Sequence, residues 1–409
     1  MQDNEKKPAL RFKGFTDPWE QRKLGEIAVF SKGVGYSKND LCEEGTPIIL
    51  YGRLYTKYET CIFDVDTFVK EKAGGVYSKG GEVIVPASGE TAEDISIASV
   101  VVKPGILLGG DLNIVSPTAE YDSAFLALTI SSGATHKYLS SLAQGKSVVH
   151  LHNADIQSVS AKFPTKREQE KIHLLFGKID TLITLHQRKY EKLVNIKKSM
   201  LDKMFPPNGA SVPEIRFKGF TDPWEQRKIS ELAEKTYGGG TPTTSNEAFW
   251  NGNIPWIQSS DIVDGKLIGV EPRKYITQTG LNSSATQLVP KNSIAIITRV
   301  GVGKLAYMPF SYSTSQDFLS LSKLNTEPFF TVYACYKKLQ SELNTVQGTS
   351  IKGITKDELL AKTISMPVYS EQKQIGSFFA QLDTLITLHQ RKLEKLQNIK
   401  KSCLEKMFV

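Results

Sequence analysis

Arg11-Phe-Lys-Gly-Phe-Thr-Asp-Pro-Trp-Glu-Gln-Arg-Lys23 is the stretch that decides the fold, because it returns letter for letter at residues 216–228 of a 409-residue chain. A second repeat relates residues 168–205 to residues 371–408, and its segment Asp180-Thr-Leu-Ile-Thr-Leu-His-Gln-Arg-Lys189 is identical at residues 383–392. The stretches between the repeats, residues 24–164 and 229–367, have mostly diverged. The chain is therefore one plan used twice, with a common frame around two different middles.

Length and composition indicate two folded halves. A chain of 409 residues is too long for one core, and 40% hydrophobic residues are typical of globular burial. No apolar run is long enough to span a bilayer, and residues 1–8 lack the apolar core of a signal peptide, which predicts a cytoplasmic location. Four cysteines without CxxC spacing are interpreted as buried thiols. The net charge of +8 fits a partner with phosphates and also fits simple solubility.

Local patterns predict an α+β fold for each middle. Short helices are expected over residues 20–28 and 225–233, after Asp-Pro pairs that suit a helix start. Clusters of β-branched residues between Gly, Pro, Asn and Ser predict strands at residues 47–50, 82–85, 97–102, 254–257 and 294–298. Residues 46–54 resemble residues 254–262, so we interpret the middles as distant copies of one domain.

The second repeat predicts a long helix in each half, beginning after Pro164 and Pro367. Its apolar residues recur every three or four positions and form matching stripes, so we expect the two helices to pair as a coiled coil. The second middle follows the first helix and precedes the second, so paired helices can both reach it only if they are antiparallel, with the two middles at opposite ends and related by a pseudo-two-fold axis. The basic residues beside the stripe, such as Lys197 and Lys400, are expected to be solvated or to face a partner. The predicted helix–helix seam, with its two histidines interpreted as register-fixing rather than metal-binding, consists of Ile179, Ile183, His186, Tyr190, Leu193, Leu382, Ile386, His389, Leu393 and Leu396.

No catalytic constellation is found. The run ending at Gln144-Gly-Lys-Ser147 resembles the end of a phosphate-binding loop, but Ser140 stands where that pattern needs glycine. His150 and His152 have no further ligand at metal spacing, so a surface pair is favoured over a metal site. Polar and basic loop residues instead suggest DNA readout, with a plain surface role as the alternative for each one. The candidate DNA contacts are Arg53, Lys57, Ser88, Lys146, Ser259, Ser260, Arg299 and Lys352.

The assembled motifs resemble one known family, the specificity subunits of type I restriction-modification systems. The resemblance rests on the repeated Trp-Glu-Gln-Arg-Lys, the run Gly348-Thr-Ser-Ile-Lys-Gly-Ile354, the helix start Glu371-Gln-Lys-Gln-Ile375, and the paired Asp-Thr-Leu-Ile helices. It implies target recognition domains at residues 1–165 and 215–367, spacer helices at 166–205 and 368–409, and a linker at 206–214.

The resemblance also implies a function. Each recognition domain would read one half of a split, asymmetric target in double-stranded DNA, and the helices would set the spacing between the halves. Two methyltransferase subunits would dock on the chain and restriction subunits would join them; AdoMet, ATP and Mg²⁺ would belong to those partners, and no cofactor is expected in this chain. Two alternatives stay open: an enzyme with its own catalytic motifs, and a protein scaffold without sequence-specific readout.

Overall fold

The computed structural model describes residues 7–145, 148–207, 210–345 and 353–408. It divides into two compact units: unit 1 consists of residues 1–186 and 392–409, and unit 2 of residues 187–391. Each unit therefore holds one recognition-type domain together with a segment from each of the two long helices. We call residues 20–163 head 1 and residues 225–366 head 2.

The elements of unit 1 begin in head 1 and end with the first long helix, which continues into unit 2. The strands are β1 (Glu20–Lys23), β2 (Ala28–Lys32), β3 (Leu41–Cys42), β4 (Thr46–Ile49), β5 (Cys61–Ile62), β6 (Phe68–Val69), β7 (Glu82–Pro86), β8 (Ser88–Gly89), β9 (Ser99–Val101), β10 (Leu107–Leu108), β11 (Leu112–Pro117), β12 (Val149–His150) and β13 (Ser160–Phe163). The helices are α1 (Leu24–Ile27), α2 (Gly52–Thr56), α3 (Ala92–Ile95), α4 (Ser123–Ile130), α5 (Gly133–Leu142), α6 (Asn153–Ser158) and α7 (Lys166–Lys203).

Unit 2 repeats this order with fewer strands. These are β14 (Glu225–Lys228), β15 (Ala233–Gly238), β16 (Trp250–Ile257), β17 (Lys274–Ile276), β18 (Ser293–Ile297), β19 (Leu305–Met308), β20 (Ser313–Thr314), β21 (Phe318–Leu324) and β22 (Thr363–Met366). The helices are α8 (Gln278–Asn282), α9 (Pro328–Thr345), α10 (Lys356–Ala361) and α11 (Tyr369–Met407), the last of which continues into unit 1.

The two heads share one sheet order. In head 1 the main sheet runs β2-β11-β7-β9-β5, and in head 2 it runs β15-β21-β18-β19, with antiparallel pairing among the first four strands in both. A second sheet in each head contains a parallel pair, β4 with β10 and β16 with β20. The predicted α+β class and all five predicted strand regions are confirmed, each shifted by a few residues at its ends.

The short helices expected at residues 20–28 and 225–233 are largely wrong. Residues 20–23 form β1, which pairs with β13, and residues 225–228 form β14, which pairs with β22. Only α1 and a single 3₁₀ turn at Ile229–Glu231 follow. Glu-Gln-Arg-Lys has good helix propensity, but its backbone groups are satisfied by a distant strand, so tertiary pairing overrides the local preference.

A duplicated aromatic cluster anchors the repeated tryptophan in each core. Trp19 meets Phe125 edge-on at 5.7 Å, and Phe125 stacks on Phe408 at 5.4 Å. In unit 2, Trp224 meets Phe330 at 5.6 Å and Phe330 stacks on Phe205 at 5.5 Å, again edge-on and stacked. Both tryptophans are 3% exposed. The repeated segment thus packs against the end of a long helix in both units.

The long helices are confirmed, with 38 residues in α7 and 39 in α11. In unit 1, Phe176 of α7 lies 6.0 Å from Phe408 and Asp180 pairs with Lys400, so the helix segments run antiparallel. In unit 2, Lys197 pairs with Asp383, and Phe205 lies 5.9 Å from Phe379, which gives the same direction. Of the ten seam residues, Ile179, Leu382 and Leu393 are buried and the other seven are half-buried; their side-chain contacts along the whole seam stay a prediction.

Candidate nucleic-acid interface

The strand ends of head 2 converge at one rim through three backbone hydrogen bonds. The amide of Thr298, after β18, donates to the carbonyl of Asp317, before β21, at 2.7 Å. The amide of Ser315 donates to the carbonyl of Ile257, the last residue of β16, at 2.9 Å. The amide of Ile354 donates to the carbonyl of Thr298 at 2.8 Å. These bonds gather four loops into a surface that we call rim 2.

Head 1 builds the same rim from different residues. The amide of Ala87 donates to the carbonyl of Asp111 at 2.8 Å, and the amide of Gly109 donates to the carbonyl of Ile49 at 2.9 Å. The amide of Leu151 donates to the carbonyl of Ala87 at 3.0 Å. Rim 1 therefore matches rim 2 bond for bond, and the shared backbone scaffold carries unlike side chains.

A glycine at each rim is required by close backbone approach. A Cβ at Gly239 would lie 1.8 Å from the carbonyl oxygen of Ser315, and a Cβ at Gly33 would lie 1.9 Å from that of Gly109. No side chain fits at such distances, so only glycine allows the loop after β2 or β15 to meet the rim. Gly239 and Gly33 thus allow the close loop packing at the two rims.

Rim 2 brings together Ser259, Ser260 and Arg299, three of the residues predicted from sequence. The carboxylate of Asp317 accepts hydrogen bonds from the hydroxyls of Ser259 and Ser315, each at 3.3 Å. Ser260 is exposed and accepts a hydrogen bond from Gln258 at 3.0 Å. Arg299 is exposed. The rim offers hydroxyl, amide, carboxylate and guanidinium groups, the set that reads base edges and phosphates.

Head 1 places two of the predicted DNA contacts, Arg53 and Ser88, in buried positions. Arg53 is buried on α2, where Asp66 and Glu59 accept from its Nη atoms at 2.6 and 2.8 Å and the carbonyl of Asp64 accepts at 3.1 Å. Hydrogen bonds from Lys57 and then Arg53 hold the pKa of Asp66 down at about 2. Arg53 thus stabilises head 1 from within and presents no free guanidinium, because carboxylates 6 and 13 residues away enclose it.

Ser88, in β8 of head 1, is also buried. Its side chain is only 7% exposed, and its hydroxyl lies 3.1 Å from Nδ1 of His150, while its carbonyl accepts from Tyr55 at 2.9 Å. His150 and His152 are exposed with parallel rings 6.4 Å apart, so Ser88 positions a histidine at rim 1 instead of reaching outward. Sequence reasoning had treated these histidines as a surface pair and had not connected them to the candidate site.

Three lysines complete the set of predicted DNA contacts. Lys57 is exposed and pairs with Asp66 at 2.9 Å. Lys146 and Lys352 lie outside the described residues. Within the described ranges, no group of three His, Cys, Asp or Glu side chains is arranged to hold a metal ion. A helix long and apolar enough to cross a bilayer is likewise absent from the parts of the chain described here.

Comparison with known proteins gives the family. The type I restriction modification DNA specificity domain matches twice, at residues 16–195 and 221–398. These two matches cover most of the chain, so it belongs to this family. Each match contains one head, its rim and most of the long helix that follows.

Individual relatives agree. The chain is 27% identical to the MjaIX specificity subunit of Methanocaldococcus jannaschii over 193 residues, 46% of this chain but only 44% of that relative. It is 20% identical to the MjaVIII specificity subunit of the same organism over 402 residues, 94% of this chain and 91% of the relative. The crystal structure of the type I restriction-modification S subunit from M. genitalium shares the fold, with a TM-score of 0.67, 14% identity, and coverage of 98% of this chain and 99% of that one.

Proposed function

We propose that this chain is the specificity subunit of a type I restriction-modification complex and that each head reads one half of a split target in double-stranded DNA. The observation that carries the proposal is the matched pair of rims. Three equivalent backbone hydrogen bonds build the same scaffold in both heads, while the side chains placed on it differ. Identical scaffolds with different reading groups suit two unlike half-sites, and hence an asymmetric target.

The side chains at equivalent rim positions illustrate this difference. The backbone bonds align Ala87 with Thr298, so the residues that follow, Ser88 and Arg299, occupy corresponding positions. One is a buried hydroxyl that orients His150, and the other is an exposed guanidinium. Arginine pairs best with the acceptor edge of guanine in the major groove, whereas an imidazole offers one donor and one acceptor. We therefore expect the two half-sites to differ in base composition.

The paired helices suit a spacing role. At about 1.5 Å per residue a helix of 38 residues spans roughly 57 Å, and a rod of fixed length lets two readers contact DNA only at a set separation. Two methyltransferase subunits docked on the duplicated frame would modify adenines in each half-site, with restriction subunits joining for cleavage. AdoMet, ATP and Mg²⁺ would be bound by those partners, and the complex would act in the cytoplasm.

The test is to map methylated bases in DNA exposed to the complex of this chain with its methyltransferase. The expected result is one bipartite, non-palindromic sequence with a constant spacer. Exchanging residues 24–164 for those of a relative with another target should change one half-site and leave the other unchanged. Methylation that follows no sequence would favour the scaffold alternative, and methyl transfer by the chain alone would favour the self-contained enzyme.

A further inference from the structure

An aspartate–lysine ion pair joins the two helix segments in each unit. In unit 1, Oδ1 of Asp180 lies 2.6 Å from Nζ of Lys400, and in unit 2, Oδ1 of Asp383 lies 2.5 Å from Nζ of Lys197. The four residues are equivalent members of the helix repeat. Lys197, for which the sequence pattern predicts either a solvated or a partner-facing position, is 8% exposed. We call each pair an Asp–Lys seat.

Each head places a hydroxyl and an aromatic ring on its seat. In unit 1, Thr60 donates to the second oxygen of Asp180 at 3.0 Å, and the ring of Tyr58 lies 5.7 Å from Nζ of Lys400. In unit 2, Tyr333 supplies both contacts: its hydroxyl donates to Asp383 at 2.6 Å and its ring lies 5.6 Å from Nζ of Lys197. In each unit, the head therefore contacts both the aspartate and the lysine of the seat.

These contacts come from unrelated elements of the two heads. Tyr333 lies in the second turn of α9, whereas Thr60 and Tyr58 precede β5. The matching aromatic clusters align Phe330 with Phe125, and three residues further on Tyr333 therefore corresponds to Leu128, which has no hydroxyl. The two diverged heads thus use different elements to place a hydroxyl on the aspartate and a ring on the lysine of the seat. This indicates that each Asp–Lys seat requires both contacts from its head.

The seat also has the chemistry to fix an orientation. Apolar packing tolerates small slides, but a carboxylate and an ammonium held by hydrogen bonds favour one direction of approach. In unit 2, Lys197 donates in addition to the carbonyl of Gly265 in the loop before β17, at 2.8 Å, so head 2 is held from a helix and from a loop. Burial raises the pKa of Tyr333 far above its usual range, which keeps its hydroxyl a donor.

We propose that the Asp–Lys seats are positioning elements that set the angle of each reading head on the helix segments of its own unit. This inference rests on the proposed function and deepens it: the seats, with Thr60 and Tyr333 as their head-side partners, make the half-site spacing strict. A head grafted onto this frame must then bring its own hydroxyl and ring to the seat. The seat of unit 2 is the more buried: the side chains of Lys197 and Asp383 are 10% and 11% exposed, whereas those of Lys400 and Asp180 in unit 1 are 20% and 28% exposed.

The test compares hydroxyl deletions that differ only in whether the hydroxyl reaches the seat. Tyr333→Phe keeps the ring over Lys197 and removes the bond to Asp383, while the control Tyr307→Phe removes a bond to Asn292 within head 2. Thr60→Val is matched by Thr129→Val, whose hydroxyl bonds only to its own helix at Phe125. Each full-length variant is assembled with the methyltransferase and assayed on target duplexes with the native spacer and with one base pair more or less.

Removing a hydrogen bond to a buried charge should lower the preference for the native spacer by roughly threefold to tenfold in Tyr333→Phe, less in Thr60→Val, and within about twofold in both controls. Equal spacer preference in seat and control variants, with native-spacer binding retained, overturns the inference. A wild-type complex that binds its target without any spacer preference overturns the proposed function as well, so the two failures can be told apart. Lys197→Met, which removes the charge itself, should relax the spacing further than Tyr333→Phe.

Discussion

Arg11 and Glu168 are joined by two parallel hydrogen bonds, from Nε to Oε1 at 2.6 Å and from Nη2 to Oε2 at 2.7 Å. The repeated pair Arg216 and Glu371 forms the same two bonds at 2.7 and 2.8 Å. Both glutamate side chains are 0% exposed and lie in the first turn of a long helix. The repeated tryptophan segment is therefore tied to each helix start by a planar, charged clamp.

Arg11→Lys should weaken this clamp although the charge is kept. Lysine presents a single point donor in place of the two-pronged guanidinium, so one buried oxygen of Glu168 loses its partner. We expect the free energy of unfolding of unit 1 to fall by about 1–3 kcal/mol, seen as a lower midpoint in thermal unfolding. The control is Arg22→Lys, whose pair with Glu20 is exposed on both sides and should change stability by less than about 0.5 kcal/mol. Equal effects of the two variants would contradict the clamp.

His173 makes the stability of unit 1 depend on pH. A hydrogen bond to Asp122, then one to Cys61, raises the pKa of His173 to about 10. Burial alone would raise the pKa of Asp122, but the hydrogen bonds from His173 and the Phe125 amide outweigh burial and lower it. A histidine in the unfolded chain releases its proton near pH 6.5. The raised pKa of His173 therefore stabilises folded unit 1 fully below about pH 6.5, and this stabilisation is lost as pH rises through about 10.

His173→Gln should remove that pH dependence. Thermal unfolding at several pH values between 6 and 10 should show wild type losing more stability across the interval than the variant. The corresponding position of α11 is Gly376, where Glu327 fills the space, so the histidine–aspartate pair is not repeated at that position. Parallel pH profiles for wild type and variant would show that the His173–Asp122 contact does not stabilise the fold.

Gly239→Ala should disrupt rim 2. The added Cβ would meet the backbone oxygen of Ser315 at 1.8 Å, and a backbone atom cannot turn aside as a flexible side chain can. We expect a loss of roughly 1–3 kcal/mol in stability together with weaker binding of target DNA. Gly238→Ala is the neighbouring control, since nothing lies within 4 Å of its Cβ position. If both variants bind DNA like wild type, close packing at Gly239 is not needed for the rim.

Arg299→Ala should weaken DNA binding through head 2 alone. Loss of an exposed guanidinium at the rim is expected to reduce affinity on the order of tenfold and, if it contacts phosphate, to reduce the salt dependence by about one ion. Lys323→Ala is the control, because Lys323 lies at the far end of β21 beside Glu234. Methylation mapping should show relaxed sequence preference in one half-site only. A uniform loss in both variants would mean that net charge, not the rim, governs binding.

Features with a repeat or a period were accessible from the sequence. The long helices follow from matched stripes and prolines, their antiparallel direction from the order of heads and helices along the chain, and the α+β heads from β-branched clusters. Features that depend on distant partners were not accessible. The sequence does not show that Asp66 and Glu59 enclose Arg53, a predicted DNA contact, nor which groups lie beside Lys197, which are Asp383 and Gly265. The resemblance of residues 46–54 to residues 254–262 was one available signal that both rims share a scaffold.

The pairing of β1 with β13 places Lys23 opposite Ser160, and that of β14 with β22 places Lys228 opposite Thr363. Directly paired strand residues lie about 5 Å apart. More than a hundred residues therefore leave and rejoin the scaffold at practically one point, as an inserted domain does. Evolution or an engineer can join such a module to the scaffold at a single short gap, and the only further match it needs is a hydroxyl and a ring placed at the Asp–Lys seat.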